Sequence, residues 1–196
     1  ATGAEKRGAT RKQINPAVDN LRVVCCHDPA MVTTPVEKIA DFGTMENQNA
    51  AVNAEVIQKN IDAMAVSLSQ ADSPAAAWRA LLRKPEDKPW DAVKAAVKVN
   101  CISVNHPRLA VVDKVCRELI ALGVKPGNIT VYDGKHNAGP LYSKFVGSEL
   151  PEGVQVSDRS GLLGGTAKTA VPAPYEGEYD CTADIASGAI DILVNV

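Results

Sequence analysis

The chain has few aromatic side chains, little net charge and no long apolar segment, and each absence excludes a class of function. Phe, Trp and Tyr make up 4% of its 196 residues, too few for the stacking platforms that bind single-stranded nucleic acid. The formal net charge of -2 gives no positive field that would attract nucleic acid or a membrane surface. No apolar run approaches the roughly 18 residues that a membrane-spanning helix needs. We therefore expect no nucleic-acid partner and no membrane span.

The cysteines lack the spacing of a self-contained metal site. There are five of them, so they cannot all pair within the chain. No C-x-x-C spacing occurs, so an iron–sulfur or zinc site within these residues is not indicated. Cys25 and Cys26 are adjacent, and a disulfide between neighbours is strained. Cys116 lies among apolar residues of a predicted helix, where we expect it to serve packing.

The chain has no initial methionine and ends inside a predicted strand at 190–196. A start at Ala1 fits a mature protein after signal cleavage, which would make it periplasmic or exported, or an engineered start, in which case we expect a cytoplasmic protein. The length fits one domain. We predict an N-terminal arm over 1–20 and a single α/β domain over 21–196, which is either complete or truncated at its C-terminal end.

Hydrophobic periodicity predicts an α/β fold. A stripe of apolar residues with 4-3-4 spacing, from Ile57 to Leu68, predicts a helix over 49–70. Between 95 and 132, a strand, an amphipathic helix and a second strand follow one another, which is a βαβ unit with parallel strands. Further predicted elements are a short helix after Ser73-Pro74, strands over 21–26, 154–156 and 190–196, and a loop-rich stretch over 158–188. We expect a three-layer fold with a mainly parallel sheet and Rossmann-like βαβ units.

Polar and nucleophilic side chains follow the predicted strands. Each of the three histidines, His27, His106 and His136, comes shortly after such a strand. Ligands of open α/β sheets bind in the crevice beyond the carboxyl ends of the strands. We therefore expect a site at the carboxyl edge of the sheet. His106 also precedes a predicted helix, and helix N-termini favour anions.

Lys98 and Asn100 lie two positions apart on a predicted strand and should point to the same face. An unpaired ammonium is costly to bury, so Lys98 would hold a carboxylate or phosphate of a ligand, or act as a base with a lowered pKa. Together with Asn100 it would bind and orient an anionic substrate. The alternative is a structural salt bridge, or a lysine at the strand tip that reaches solvent.

The segment Asp133-Gly-Lys-His136 directly follows another predicted strand. Gly134 permits a tight turn, which would place Asp133, Lys135 and His136 at the same edge of the sheet. An aspartate and a histidine together can carry acid–base catalysis or bind a metal, and Lys135 adds a cationic contact for a substrate. The alternative is an Asx-type turn with solvated side chains.

Cys25, Cys26 and His27 form a third polar cluster. Thiolates and an imidazole side by side suit metal binding or nucleophilic chemistry, so these three are the candidate metal ligands. The alternative is that the cysteines are small core residues and that His27 caps a turn. Cys101 lies near the same predicted edge, and both interpretations apply to it.

Several of these features occur together in a recognisable order. They are Lys98-Val-Asn100, a helix after His106-Pro107, Gly123, Asp133-Gly134 and the closing Asp191-Ile-Leu-Val-Asn195. In this order they resemble a large prokaryotic family of domains of unknown function, DUF 362, over residues 20–196. The Lys-x-Asn strand is the most specific element, and the resemblance implies Lys98, Asn100 and Asp133 as site residues.

Members of this family often carry ferredoxin-like iron–sulfur modules, and some have twin-arginine export signals. The resemblance therefore implies a redox-associated or metal-associated enzyme that is exported already folded. Its cofactor, which the sequence does not identify, would be a metal or an iron–sulfur cluster supplied by a missing segment or by a partner. A ferredoxin-like redox protein is the partner that the resemblance implies.

Three hypotheses on function follow. In the first, a redox-linked or metal-dependent enzyme acts on a small anionic substrate at the carboxyl edge of the sheet, with Lys98, Asp133 and His136 as catalytic residues. In the second, the same edge binds a small anion or a metal without catalysis. In the third, the domain docks onto a partner of a redox system.

Overall fold

The computed structural model describes six stretches of the chain. They are residues 23–35, 43–100, 106–133, 149–157, 161–171 and 176–196. The predicted arm over 1–20 lies outside these described residues, as do Cys101, Lys135 and His136.

A parallel sheet forms the centre of the fold. The described strands are β1 (Ala95–Lys98), β2 (Ile129–Tyr132), β3 (Gln155–Ser157), β4 (Thr166–Val171), β5 (Gly177–Thr182) and β6 (Ile192–Asn195). Four of them form one sheet in the order β3-β2-β1-β6. All its pairings are parallel, and Ala95 lies in register between Ile129 and Ile192. The predicted α/β class with a mainly parallel sheet is confirmed, and the finer description as Rossmann-like stays a prediction.

Helices cover one face of this sheet. The described helices are α1 (Met45–Ala50), α2 (Ala54–Ser69), α3 (Pro74–Leu81), α4 (Leu109–Ala121) and α5 (Ala183–Ala186). The main core joins Trp78 of α3 and Leu119 of α4 to Val97 and Val131 of the sheet. No described helix combines the length and the apolar character that crossing a bilayer requires.

The unit from β1 to β2 follows from its local sequence. The first three residues of β1, Ala-Ala-Val, are fully buried, as expected for a central parallel strand covered on both faces. After α4, the chain turns at Gly123, which has a φ of 110°. A Cβ at this position would lie 3.0 Å from Cβ of Trp90, so both the backbone angle and the close packing require glycine.

The predicted helix over 49–70 is interrupted in the structure. α1 ends at Ala50 and α2 begins at Ala54, with Asn53 between them as the N-cap residue. The Oδ1 atom of Asn53 accepts a hydrogen bond from the backbone N–H of Val56 at 3.2 Å. Asparagine competes for backbone donors in this way, and it therefore starts a new helix within a run that periodicity alone reads as continuous.

Short elements pack on the other face of the sheet. Leu163 of a 3-10 turn at Gly161–Leu163 and Ile185 of α5 pack against Ala96 and Tyr132, and β4 and β5, which lie between these two elements in the chain, pair antiparallel. The prediction of a loop-rich stretch over 158–188 was therefore wrong for its described residues. On this face the described packing against the sheet therefore comes from a 3-10 turn and the short α5 rather than from long helices.

The predicted strand over 21–26 was also wrong where the structure describes it. Residues 23–28 have no regular secondary structure, and Val23 is 83% exposed. Asp28 then caps a short 3-10 turn, since its Oδ1 atom accepts a hydrogen bond from the backbone N–H of Ala30 at 2.9 Å. A short apolar run does not by itself specify a strand, and here most of its described residues are exposed.

The carboxylate of Asp191 links β6 to the start of β1 through hydrogen bonds. The Oδ2 atom of Asp191 accepts hydrogen bonds from Nζ of Lys88 at 2.6 Å and from the backbone N–H of Lys94 at 2.8 Å. Burial raises the pKa of Asp191, but these two contacts and the charges of both lysines together outweigh burial and leave the pKa below its ordinary value of 3.8.

We expect acid to remove this stabilisation. Because the pKa of Asp191 is lower in the folded state, its contribution is complete above pH 3.8 and is lost as the pH falls through the folded-state pKa. Asp191→Asn should lower the free energy of unfolding at pH 7 by about 1.5–3 kcal/mol, the usual size for hydrogen bonds to a charged group. Urea unfolding of both proteins between pH 7 and pH 2 measures this. A difference that stays constant with pH would contradict the role given to Asp191.

Candidate functional site

A cavity lies beyond the carboxyl end of β1. Its volume is about 980 Å³, at the upper end of the range of about 300–1,000 Å³ common for small-molecule sites. The wall comprises residues of α1, α2 and the start of α4, together with part of the segment 26–34. Asn100, two residues past β1, also belongs to the wall. The cavity therefore occupies the kind of position where open α/β sheets bind ligands.

Most of the wall is apolar. Its larger apolar side chains are Met31, Val32, Val52, Ile57, Ile61, Met64 and Val111. The contributions from α2 follow helical spacing, so one face of that helix serves both the core and the cavity.

The start of α4 brings positive charge to the cavity. Arg108 is the N-cap residue of this helix, and His106 and Pro107 precede it in the same wall. An Nη1 hydrogen of Arg108 is donated to the backbone oxygen of His106 at 3.0 Å. Burial lowers the pKa of Arg108 by removing water from the guanidinium, although an arginine remains protonated in proteins. The partial positive charge of the helix N-terminus adds to this field.

α1 contributes a run of amides to the same region. The Oδ1 atom of Asn49 accepts a hydrogen bond from the backbone N–H of Leu109 at 2.6 Å, which ties α1 to the first turn of α4. Gln48 belongs to the cavity wall and is 4% exposed. Its Nε2 atom donates to the backbone oxygen of Gly43 at 3.3 Å, which fixes the orientation of the amide.

The remaining oxygen of Gln48 is unsatisfied among the described residues. Its Oε1 atom is buried and has no hydrogen-bond partner there. A buried acceptor without a partner is unusual in folded proteins and calls for an explanation such as a bound water or a functional role.

The predicted metal cluster is open to solvent in the structure. Cys25, Cys26 and His27 are exposed, and both cysteines are free thiols. Of these three residues, Cys26 belongs to the cavity wall. Within the described stretches, no group of three or more His, Cys, Asp or Glu side chains is arranged to hold a metal ion. The metal ligation predicted for these residues stays a prediction.

Lys98 and Asn100, which the sequence predicted to act together, lie in different surroundings. Lys98 is the last residue of β1 and pairs in register with Tyr132 and Asn195. Strand alternation puts Lys98 on the face shared with Ala96, against which Leu163 and Ile185 pack. Asn100 lies beyond the strand and contributes to the cavity among the helices. Lys98 is not part of the described wall of that cavity.

Asp133 directly follows β2 and is buried, with 6% exposure. Its neighbour Tyr132 has a raised pKa, chiefly because of burial and also because of the charge of Asp133, while a hydrogen bond with Thr182 opposes the rise. In the described part of the chain, Asp133 is therefore a buried residue at the carboxyl end of β2. Its predicted partners Lys135 and His136 lie outside that part.

Sequence reasoning did not identify Arg108 or Gln48. The sequence places His106-Pro107 at the start of a helix. Arg108 follows this pair directly, and that position was the signal that could have identified it. Gln48 offered no comparable signal, because its burial depends on the packing of α1 against α4, which brings Asn49 to Leu109 across 60 positions of sequence.

Comparisons with known proteins identify no relative. No protein-family model, no curated protein and no solved structure matches the chain. The resemblance to DUF 362 therefore stays a prediction, as do the roles that it implies for Lys98, Asn100 and Asp133. Inference about function rests on the cavity and the side chains around it.

Proposed function

We propose that this domain binds a small organic anion in the cavity beyond the carboxyl end of β1. The observation that carries this proposal is the position of Arg108, a partly buried guanidinium at the N-terminus of α4 and in the cavity wall. The proposal keeps the small anionic ligand expected from the sequence. It assigns the main contact to Arg108 instead of Lys98.

The electrostatics of the wall favour an anion. A guanidinium carries a permanent positive charge and a planar fork of N–H donors that matches a carboxylate. Its interaction with an anion is strengthened where water is partly excluded. The partial positive charge of the α4 N-terminus adds to the attraction, and the amide of Asn100, which belongs to the same wall, would orient the ligand.

Chemistry on the bound ligand is the second candidate. The observation that favours it is the free thiol of Cys26 in the same wall, because a thiolate is a nucleophile and a metal ligand. A redox-linked or metal-dependent reaction, with Lys98, Asp133 and His136 as catalytic residues, belongs to this candidate. So does a ferredoxin-like partner that would exchange electrons with the domain.

Calorimetric titration with small anions tests the first proposal. Acetate, benzoate, hexanoate and phosphate would be titrated at low salt into the wild type, Arg108→Gln and Arg83→Gln. Arg83 is exposed and lies outside the described cavity wall, so it is the matched control. We expect an organic anion to bind, with about 10-fold or greater weakening in Arg108→Gln, because a hydrogen bond to a charged group contributes about 1.5–3 kcal/mol.

The control variant should bind like the wild type. Equal affinity in the wild type and Arg108→Gln would overturn the assignment of Arg108. A complete lack of binding by all the organic anions in the folded wild-type protein would overturn the proposed function itself.

A further inference from the structure

We infer that the protein has a second anion site, on the face of the sheet opposite the helices, where the ammonium of Lys98 and the amide of Asn195 hold a carboxylate or phosphate group. This inference goes beyond the proposed function, because neither residue belongs to the described wall of the cavity. It keeps the sequence-based expectation that Lys98 contacts an anion, and it names Asn195 instead of Asn100 as the residue that acts with it.

Lys98 and Asn195 are neighbours at the carboxyl edge of the sheet. Lys98 is the last residue of β1, Asn195 is the last residue of β6, and the two pair in register. Neighbouring strands lie about 4.8 Å apart, and residues in register on parallel strands project from the same face. The two side chains therefore begin side by side, at the edge where open α/β sheets bind their ligands.

Lys98 is an exception among the half-buried lysines that the structure describes. These lysines are Lys84, Lys88, Lys98 and Lys114. Lys88 and Lys114 form ion pairs with carboxylates, and Lys84 donates to two backbone oxygens. Within the described stretches of the chain, the ammonium of Lys98 forms neither an ion pair nor a hydrogen bond. Its charge is therefore available to a ligand.

The surroundings of Lys98 favour an anion. Tyr132 flanks Lys98 in register on the β2 side and is buried, and Leu163 and Ile185 pack on the same face. A partly buried ammonium without a partner loses hydration and gains no contact in return, which is unfavourable. Because water is partly excluded around it, its attraction to an anion is stronger than in bulk water.

Asn195 leaves the other side of the site open. It is exposed, and within the described residues its side chain has no hydrogen-bond partner, so its amide can donate to an oxygen of the same anion. Tyr132 and Ser157 complete this row across the sheet, but both are engaged. Ser157 accepts a backbone hydrogen bond at 3.1 Å, and Tyr132 shares one with a threonine of β5. The open part of the row is therefore Lys98 and Asn195.

One ammonium and one amide suit a small oxyanion group. Lysine binds carboxylates and phosphates as a point charge, without the bidentate geometry that arginine offers. Both groups therefore meet the same chemistry here. Because Asn195 is exposed, the second charge of a phosphate could stay hydrated, and the rest of a larger ligand could extend into solvent.

Titration of the isotope-labelled protein with phosphate and with acetate, followed by NMR, tests the inference. Backbone amide signals report where an anion lies, and we expect saturable shifts at Val99 and Val196. Val196 is a direct reporter, since its N–H donates to the backbone oxygen of Lys98 at 2.9 Å. The anion with the lower Kd identifies the group that the site prefers.

Variants of the two lysines at opposite ends of β1 sharpen the test. Lys98→Met removes the charge and keeps an unbranched apolar side chain, and we expect Kd to rise by about 10-fold or more, because a hydrogen bond to a charged group is lost. Lys98→Arg keeps the charge and should retain most of the affinity. Lys94→Met is the matched control, because Lys94 is exposed and directly precedes β1. It should bind like the wild type.

The outcomes separate this inference from the proposed function. Equal Kd values in Lys98→Met and Lys94→Met would overturn the inference, and so would a lack of saturable shifts at Val99 and Val196 in the folded wild type. The shifts should persist in Arg108→Gln. If they vanish there, the anion binds in the cavity, and the inference fails while the proposed function stands. If the cavity binds no organic anion but Val196 still responds through Lys98, the proposed function fails and the inference stands.

Discussion

Leu119→Ala is expected to destabilise the protein by about 2–5 kcal/mol, because deletion of a buried leucine side chain removes its burial and leaves a cavity. Leu119 is fully buried on the face of α4 that packs against the sheet, among the residues of the main core. Leu119 belongs to one cluster with buried residues of β1 and β2. The surrounding side chains therefore have little freedom to fill the space that its removal would leave. Urea unfolding monitored by circular dichroism measures the loss.

A matched leucine outside the core provides the control. Leu162 is 54% exposed, and Leu162→Ala should change the free energy of unfolding by no more than about 0.5 kcal/mol, as is usual at surface positions. The dependence on urea concentration should be similar in all three proteins if each unfolds in two states. Comparable losses in the two variants would contradict the placement of Leu119 in the core.

The cysteines are expected to differ by at least about a thousandfold in their rates of alkylation. Cys116 is fully buried in α4, and burial, aided by the charge of Asp113 and opposed by that of Arg117, raises the pKa of its thiol to about 12. A thiol with such a pKa is ionised in roughly one molecule in ten thousand at pH 8, and the thiolate is the reactive form. Cys25 and Cys26 are exposed free thiols.

Peptide mapping after timed treatment with iodoacetamide would follow each site separately. Cys25 and Cys26 should be modified in the folded protein, whereas Cys116 should be modified at a comparable rate only in denaturant. An organic anion that binds in the cavity should slow the modification of Cys26, which belongs to the cavity wall, more than that of Cys25. Rapid labelling of Cys116 in the native state would show that α4 opens easily, against the packing described above.

The elements with strong periodicity were predictable from the sequence. α4 has apolar residues at helical spacing and lies between two short apolar strands, and this combination predicts a βαβ unit. The strand from 190 onward was predicted in the same way, and it corresponds to β6. Its pairing with β1 required the structure, since sequence patterns do not order the strands of a sheet.

The elements that were mispredicted have weak or misleading patterns. β4 reads Thr-Ala-Lys-Thr-Ala-Val, and with no large apolar side chain before its last residue it gives little strand signal. The apolar run at 21–26 gives a strand signal, but no strand lies there in the described residues. Between α1 and α2, Asn53 caps α2 through its side chain, and its backbone N–H donates to the backbone oxygen of Met31 at 2.9 Å. Hydrophobic periodicity registers neither bond.

Some residues that the sequence singled out line the cavity, and others in its wall were not singled out. The carboxyl edge was expected to gather polar residues, and Asn100, His106 and Cys26 do share the wall of one cavity. Arg108 and Gln48 join them through contacts between helices that are distant in sequence. Such contacts arise from tertiary packing, which a pattern of local spacings cannot express.

The attachment of β6 also bears on the order in which the chain folds. Lys88 and Asp191, which join β6 to the start of β1, are 103 positions apart in sequence, whereas β1 and β2 are joined through a single helix. Contacts between distant segments form slowly because a long loop must close first. We therefore expect β1, α4 and β2 to assemble early and β6 to dock after the folding transition state. Loss of the Asp191 carboxylate should then speed unfolding and leave the folding rate nearly unchanged.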